Sequence, residues 1–188
     1  MAVSNHSTKD FYMMDLRGHI GAVPDYPKKG IIFRDVTTLM QNGDAFAHAI
    51  SELQHLVASE QPQKIVGIEA RGFIFGAALA QAMNLGFVPV RKQGKLPREV
   101  HKASYELEYG QDVIEVHRDA LEAGNKVVVV DDLIATGGTA LACGQLMEML
   151  GVEVTSYAFV IDLPELGGAD RLRDAGHHVH ALVDFEGH

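Results

Sequence analysis

The sequence predicts an α/β fold: a mostly parallel, five-stranded sheet with helices on both faces. Three observations carry this expectation. Short apolar runs alternate with stretches of helical periodicity along most of the chain. One run, Val127-Val128-Val129-Val130, is apolar at every position, as in a strand buried on both faces. Polar and glycine-rich stretches follow Glu69, Arg91 and Asp131, at the carboxyl edge where open α/β sheets bind ligands.

The elements follow in order. Phe11 to Val23 reads as an amphipathic helix through Phe11, Met14, Leu16 and Ile20, and Pro24, Pro27 and Gly30 punctuate the loop after it. Gly30 to Asp35 (GIIFRD) is a short apolar run closed by an Arg-Asp pair. Asp44 to Ser59 reads as a helix with Asp44 as N-cap and Phe46, Ile50 and Leu53 on one face. Lys64 to Glu69 is a strand, Phe73 to Met83 a helix, and Gly86 to Arg91 a strand in which Pro89 implies a free or bulged N–H side. Lys102 to Tyr109 and Gln111 to His117 alternate as a two-stranded ribbon around Gly110. Val127 to Asp132 is the central strand, Gly151 to Ile161 and His178 to Val183 are the last two, and Gly168 to Ala175 is a short helix. No repeat or linker divides the chain, so residues 1–188 are expected to form one domain, with 1–35 an N-terminal helix and hood and 92–118 a lid loop and ribbon.

Composition narrows the function. With 188 residues, 47% hydrophobic and 22% charged, the chain is expected to be a soluble globular protein. A net charge of −9 argues against a nucleic-acid surface, and no 18-residue apolar run predicts a membrane span. The polar start MAVSNHSTKD is unlike a signal peptide, and a single cysteine, Cys143, fits a reducing, cytoplasmic setting. His177, His178 and His180 alternate along a strand, which suits an exposed strand start better than a metal site.

The strongest chemical signal is Lys126 to Ala140, KVVVVDDLIATGGTA. A buried strand, two carboxylates, a small Gly/Thr loop and a helix start form a phosphate cradle, because unpaired N–H groups and the positive end of the helix dipole converge there. Asp131 and Asp132 stand one step earlier, where carboxylates can accept hydrogen bonds from vicinal hydroxyls or help hold a cation. A dinucleotide loop is excluded, since no G-x-G-x-x-G follows a strand, and so is a Walker A loop, since no Lys follows the glycines. Glu69-Ala70-Arg71-Gly72-Phe73 is either a surface βα turn or a loop presenting N–H groups and the Arg71 guanidinium to a pyrophosphate. Arg91, Lys92 and Lys95 are either a solvated face or the partner of a polyanion. The stretch Ala103 to Gly110 reads as a lid able to exclude water or as an inert hairpin, and chemistry alone leaves Phe33-Arg34-Asp35 open between a strand end and a hood over a flat ligand.

The ordered set PKKGIIFRD, GIEARGFIFG, PVRKQGKLPRE, SYELEYG and VVVVDDLIATGGT resembles the bacterial-type adenine phosphoribosyltransferases, within the type I phosphoribosyltransferase family, from about Pro24 to the closing Phe185-Glu186-Gly187-His188. The resemblance implies the type I fold with a hood and a flexible β-ribbon lid. It implies transfer of a phosphoribosyl group from phosphoribosyl pyrophosphate (PRPP) to N9 of adenine, giving AMP and pyrophosphate, with Mg²⁺ and a homodimer. Residue by residue, it assigns Ala135, Thr136, Gly137, Gly138 and Thr139 to the 5′-phosphate and Asp131 and Asp132 to the ribose hydroxyls. Mg²⁺ is implied to arrive with PRPP near Asp131 and Asp132 rather than to be held by protein alone. Arg71, Arg91, Lys92 and Lys95 are assigned to pyrophosphate, and Ile32, Phe33 and Arg34 to adenine. Glu108 is assigned a proton-transfer or cation-stabilising role, with Arg71 and Lys95 as its catalytic companions, and the peptide Glu69–Ala70 is implied to be unusual. Ala135 stands where enzymes for 6-oxopurines commonly carry Asp. Two alternatives remain open: a related enzyme for another purine, and a PRPP-sensing regulator on the same fold, which would need a nucleic-acid surface.

Overall fold

A computed structural model of the protein describes residues 14–106 and 110–187. The N-terminal part differs from the expected helix. Asp15 accepts a hydrogen bond from the Arg17 N–H at 3.0 Å and starts a single 3₁₀ turn, Leu16–His19. The chain then enters β1 (Gly21–Pro24), which pairs antiparallel with β2 (Ile32–Asp35). The spacing of Leu16 and Ile20 looks helical only because a turn and a strand start bury both. Pro24 ends any helix here, and the Gly21 N–H is taken by the Thr38 hydroxyl at 2.8 Å. Phe11 lies outside the described residues.

After β2 comes α1 (Thr37–Gln41), which the sequence reading missed; the Asp35 carboxylate accepts from the Thr37 N–H at 2.9 Å at its start. Helix α2 (Gly43–Val57) is capped by Asn42, whose side chain accepts from the Ala45 N–H at 3.0 Å. Asp44 therefore sits inside the first turn, where its charge favours the dipole, rather than at the cap. Next come β3 (Lys64–Ile68), α3 (Gly72–Ala82), β4 (Gly86–Lys92), β5 (Val100–Glu106) and β6 (Gln111–His117). The chain closes with β7 (Lys126–Ile134), α4 (Gly138–Met149), β8 (Glu153–Asp162), α5 (Gly168–Asp174) and β9 (Val179–Asp184).

The main sheet is seven-stranded, in the order β5-β6-β4-β3-β7-β8-β9. Five strands, β4-β3-β7-β8-β9, are parallel, as expected. The other two are the ribbon, which is joined to the sheet rather than separate from it, through Arg91↔Glu115 and Lys92↔Ile114. Among the described residues no strand pairs the ribbon side of β4 before Arg91, which is how Pro89 fits inside it.

Alternation along β7 divides two cores. Val127 and Val129 face a cluster with Leu146 and Met147 of α4 and Leu172 of α5, whereas Val128 and Val130 face one with Ile50 and Leu53 of α2 and Phe75 and Leu79 of α3. All four valines are fully buried, which stabilises the fold by roughly 1.5–3 kcal/mol each. The β7–β8 ladder has one irregularity, where Val127 pairs with Val154 but Val128 with Ser156. The extra residue, Thr155, has its hydroxyl 3.1 Å from the Val127 carbonyl and 3.2 Å from Glu60 Oε2, so its single proton is shared between the two acceptors. Glu60 accepts from the Ser156 and Thr155 hydroxyls and meets His180 Nε2 at 2.8 Å. Of the clustered histidines, His180 is thus held by Glu60, His177 packs edge-on to Tyr157 at 5.1 Å, and His178 is exposed. No described helix is long and apolar enough to cross a membrane.

Candidate active site

Strands β3, β4 and β7 end side by side, and the loops that follow them line one cleft of about 330 Å³. Its walls are Glu69, Ala70 and Arg71 after β3, Lys92 at the end of β4, Tyr105 of the ribbon, and the chain from Asp131 to Ala140, with Phe159 below.

The loop from Ala135 to Thr139 forms as the sequence implies. Gly137, at φ +79°, stands at the start of α4 in a left-handed conformation that suits glycine. The helix begins at Gly138, one residue before Thr139, so the first-turn N–H groups, which have no acceptor within a helix, lie in the cleft wall. Asp131 and Asp132 stand just before this loop. Asp131 accepts from the Asp132 N–H at 2.8 Å; burial first, and then the neighbouring Asp132 charge, hold its pKa well above the usual range. Asp132 is buried and ion-paired with Arg71. That pair uses the Arg71 Nε; the guanidinium carries four further N–H donors. Close packing brings these groups together, since a Cβ on Gly72 would lie 2.6 Å from Asp131 Oδ1 and 2.9 Å from its Cα. The Glu69–Ala70 peptide is cis.

The four expected pyrophosphate cations each meet a carboxylate. Arg71 meets Asp132; Arg91 and Lys95 meet Glu69 at 3.0 and 2.8 Å; Lys92 meets Asp112 and donates to the Tyr105 hydroxyl at 2.6 Å. Glu69 also accepts from the Lys92 N–H at 2.9 Å. Burial would raise the Glu69 pKa, but the hydrogen bonds from Arg91, Lys95 and the Lys92 N–H prevail and bring it to about 2. Burial likewise opposes the Lys92 charge, but Asp112 and Tyr105 outweigh it and raise that pKa. The turn carrying Lys95 is fixed by Gly94, at φ +79°, whose N–H donates to the buried Glu115 at 2.9 Å. Arg91 and Lys95 are thus held one layer behind the cleft wall, through Glu69.

The hood meets this site at its rim. Ile32, Phe33 and Arg34 do not form the cleft wall, but the Phe33 ring lies 5.6 Å from the Arg71 guanidinium. The Arg34 side chain stacks on Phe185 at 4.2 Å and donates to the Glu186 carbonyl at 3.3 Å, so the C-terminal tail braces the hood. Glu108 lies outside the described residues. Sequence reasoning missed Asp112, Glu115 and the carboxylate of Glu69 as partners of the cations. It also missed Gly168 and Arg171, which contact the loop at Ala135 and Thr136. Arg171 is 35 positions from its partner, and no local pattern marks it.

Known proteins resemble this chain in sequence and fold. A family model described as "Phosphoribosyl transferase domain" matches residues 35–179. An adenine phosphoribosyltransferase of Methylobacterium radiotolerans is 54% identical over 173 residues, 92% of this chain and 96% of that protein. The crystal structure of the adenine phosphoribosyltransferase from Thermoanaerobacter pseudethanolicus superposes with a TM-score of 0.87 at 45% identity, covering 90% of this chain and 98% of that one. The Saccharomyces cerevisiae enzyme, solved with an imino-altritol bisphosphate and adenine, gives 0.84 at 41% identity, over 89% of this chain and 96% of that one. With the five-strand parallel sheet, the strand-end carboxylates and the Gly/Thr loop all in place, the chain belongs to the adenine phosphoribosyltransferase family.

Proposed function

We propose that this protein transfers the 5-phosphoribosyl group of PRPP to N9 of adenine, releasing pyrophosphate and AMP. The observation that carries the reading is the convergence, in one cleft, of a helix-start anion loop, two strand-end carboxylates and the cations Arg71 and Lys92, with Arg91 and Lys95 held behind the wall by Glu69. The yeast relative solved with adenine and a bisphosphate supports the choice of base.

In this reading the 135–139 loop binds the 5′-phosphate, and Asp131 and Asp132 accept from the ribose hydroxyls. The bond from C1′ to pyrophosphate breaks, the bond from C1′ to N9 forms, and N9 loses its proton. Negative charge grows on the leaving group, and Arg71, Arg91, Lys92 and Lys95 stabilise it; because Glu69 and Asp112 fix three of them beforehand, little reorganisation accompanies the step. Glu108, on the segment after Glu106, is proposed to act on N9 or on the developing ribose cation. Phe33 and the Ile32–Arg34 backbone cover the base.

The donor set also fits Mg²⁺. Asp131 and Asp132 are adjacent hard oxygen donors, and the described residues hold no group of three or more His, Cys, Asp or Glu that would complete a cage alone, so PRPP oxygens would supply the remaining ligands. Bound there, the ion would neutralise pyrophosphate charge. A homodimer in the cytoplasm belongs to the same proposal: Val23, Tyr26 and Ile32 offer exposed apolar surface, and a monomer in sedimentation would remove the dimer.

The test is a base panel of adenine, hypoxanthine, guanine and xanthine with PRPP, with and without Mg²⁺, followed by nucleotide formation. AMP formation from adenine alone, and only with Mg²⁺, is expected. Turnover of an oxopurine instead would overturn the base assignment, and activity unaffected by chelation would overturn the metal.

A further inference from the structure

The connection from β8 into α5 lies against the back of the phosphate loop. The Gly168 N–H donates to the Ala135 carbonyl at 2.9 Å, and Arg171 donates from Nη1 to the Thr136 carbonyl at 2.7 Å. The approach is close enough to require glycine: a Cβ on Gly168 would run into the Ala135 carbonyl and lie 2.6 Å from the Gly137 nitrogen. One segment thus takes two consecutive carbonyls of the loop.

A trans peptide is planar, and its C=O and N–H point in opposite directions. The Ala135 carbonyl shares its plane with the Thr136 N–H, and the Thr136 carbonyl shares its plane with the Gly137 N–H. Drawing both carbonyls toward α5 turns both N–H groups the other way. We propose that Arg171 is a positioning residue for the phosphate site: by holding the Thr136 carbonyl at 2.7 Å it aims the Gly137 N–H at the 5′-phosphate. The proposal rests on the reading of the 135–139 loop given above.

The bond is built for this task. A guanidinium donating to a neutral carbonyl makes a charge-assisted hydrogen bond, stronger than a neutral one. Arg171 is exposed and lies in the short helix α5, whose Leu172 and Ala169 anchor it in the core, so the guanidinium can be removed without opening the fold.

The test compares AMP with adenosine, which differ only in the phosphate. Their binding is measured by calorimetry on the wild type, Arg171→Ala and Arg171→Lys, alongside KM for PRPP, KM for adenine and kcat. Arg171→Ala is expected to weaken AMP roughly tenfold, the size of one charge-assisted bond, and to leave adenosine unchanged. The KM for PRPP should rise by about the same factor while kcat and the KM for adenine stay within about twofold, as for loss of uniform binding. Arg171→Lys should recover part of the AMP affinity, since an ammonium can still donate to the carbonyl. Equal weakening of AMP and adenosine, or AMP binding unchanged, would overturn the role. A wild type that binds AMP no more tightly than adenosine would overturn the reading of the loop, and the positioning role with it.

Discussion

Glu69 carries more of the site than its place in the sequence suggests. Its side chain is 10% exposed and holds Arg91, Lys95 and the Lys92 N–H together. Because its pKa falls from 4.5 to about 2 on folding, the ionised form contributes stability at any pH above about 4.5, and that contribution is lost as pH falls toward 2. The amount is on the order of 3 kcal/mol at neutral pH. Glu69→Gln should therefore be less stable than the wild type at pH 7, and the gap should narrow between pH 4.5 and 2 until the two melt alike. Denaturant unfolding across that range checks it; a gap independent of pH would mean that the carboxylate charge contributes nothing. At this scale the sequence was half legible. Arg71, Lys92 and Lys95 could be read because they follow strand ends. Their counter-ions could not: Asp112 is 20 positions from Lys92 and Glu69 is 26 from Lys95, and only the sheet brings them together.

Among the elements, the seating of α4 on β8 depends on one small residue. Gly144 faces the Tyr157 hydroxyl so closely that an added Cβ would clash with it, and that hydroxyl is buried without a hydrogen-bond partner. Gly144→Ala should cost about 1–3 kcal/mol by overpacking. Tyr157→Phe should be neutral or stabilising by up to about 1 kcal/mol, since it removes an unsatisfied buried group. The double variant should lie close to Tyr157→Phe alone. Thermal unfolding of the four proteins gives the coupling, and additive effects would sink the account. Most elements were legible because their periodicity is strong and their ends carry Gly or Pro. Over the described residues 14–23 the expected helix is replaced by a turn and a strand, because four-residue spacing of Leu16 and Ile20 is equally satisfied by a turn that feeds a hairpin. The ribbon could be read as a ribbon, but its attachment at Arg91 and Lys92 could not, since a two-pair contact leaves no mark in the pattern.

For the whole molecule, the five-strand parallel sheet followed from the alternation of apolar runs and helices, and what sequence could not give was which face each helix covers. Cys143 reports on that packing. It is fully buried in α4 within the cluster that includes Val127 and Leu146, and burial, followed by the Asp131 charge, pushes its thiol pKa far above the usual value. It should resist thiol reagents in the folded protein and react at the rate of global unfolding, so labelling rates in rising denaturant should follow the unfolding rate seen by fluorescence. Labelling that outpaces unfolding would show that α4 opens by itself. A different consequence lies in β7. Four identical side chains in succession are blind to translation: slid by one position along its neighbours, most of the run would still fill both cores with valine. Only its unlike ends would register the error, with Asp132 arriving where Asp131 belongs. The extra residue of β8, Thr155, clasped to Val127 and tethered to Glu60, removes that ambiguity at the far end of the strand. It acts as a frame marker, fixing from roughly 13 Å away which carboxylate stands at each of two neighbouring places in the cleft wall.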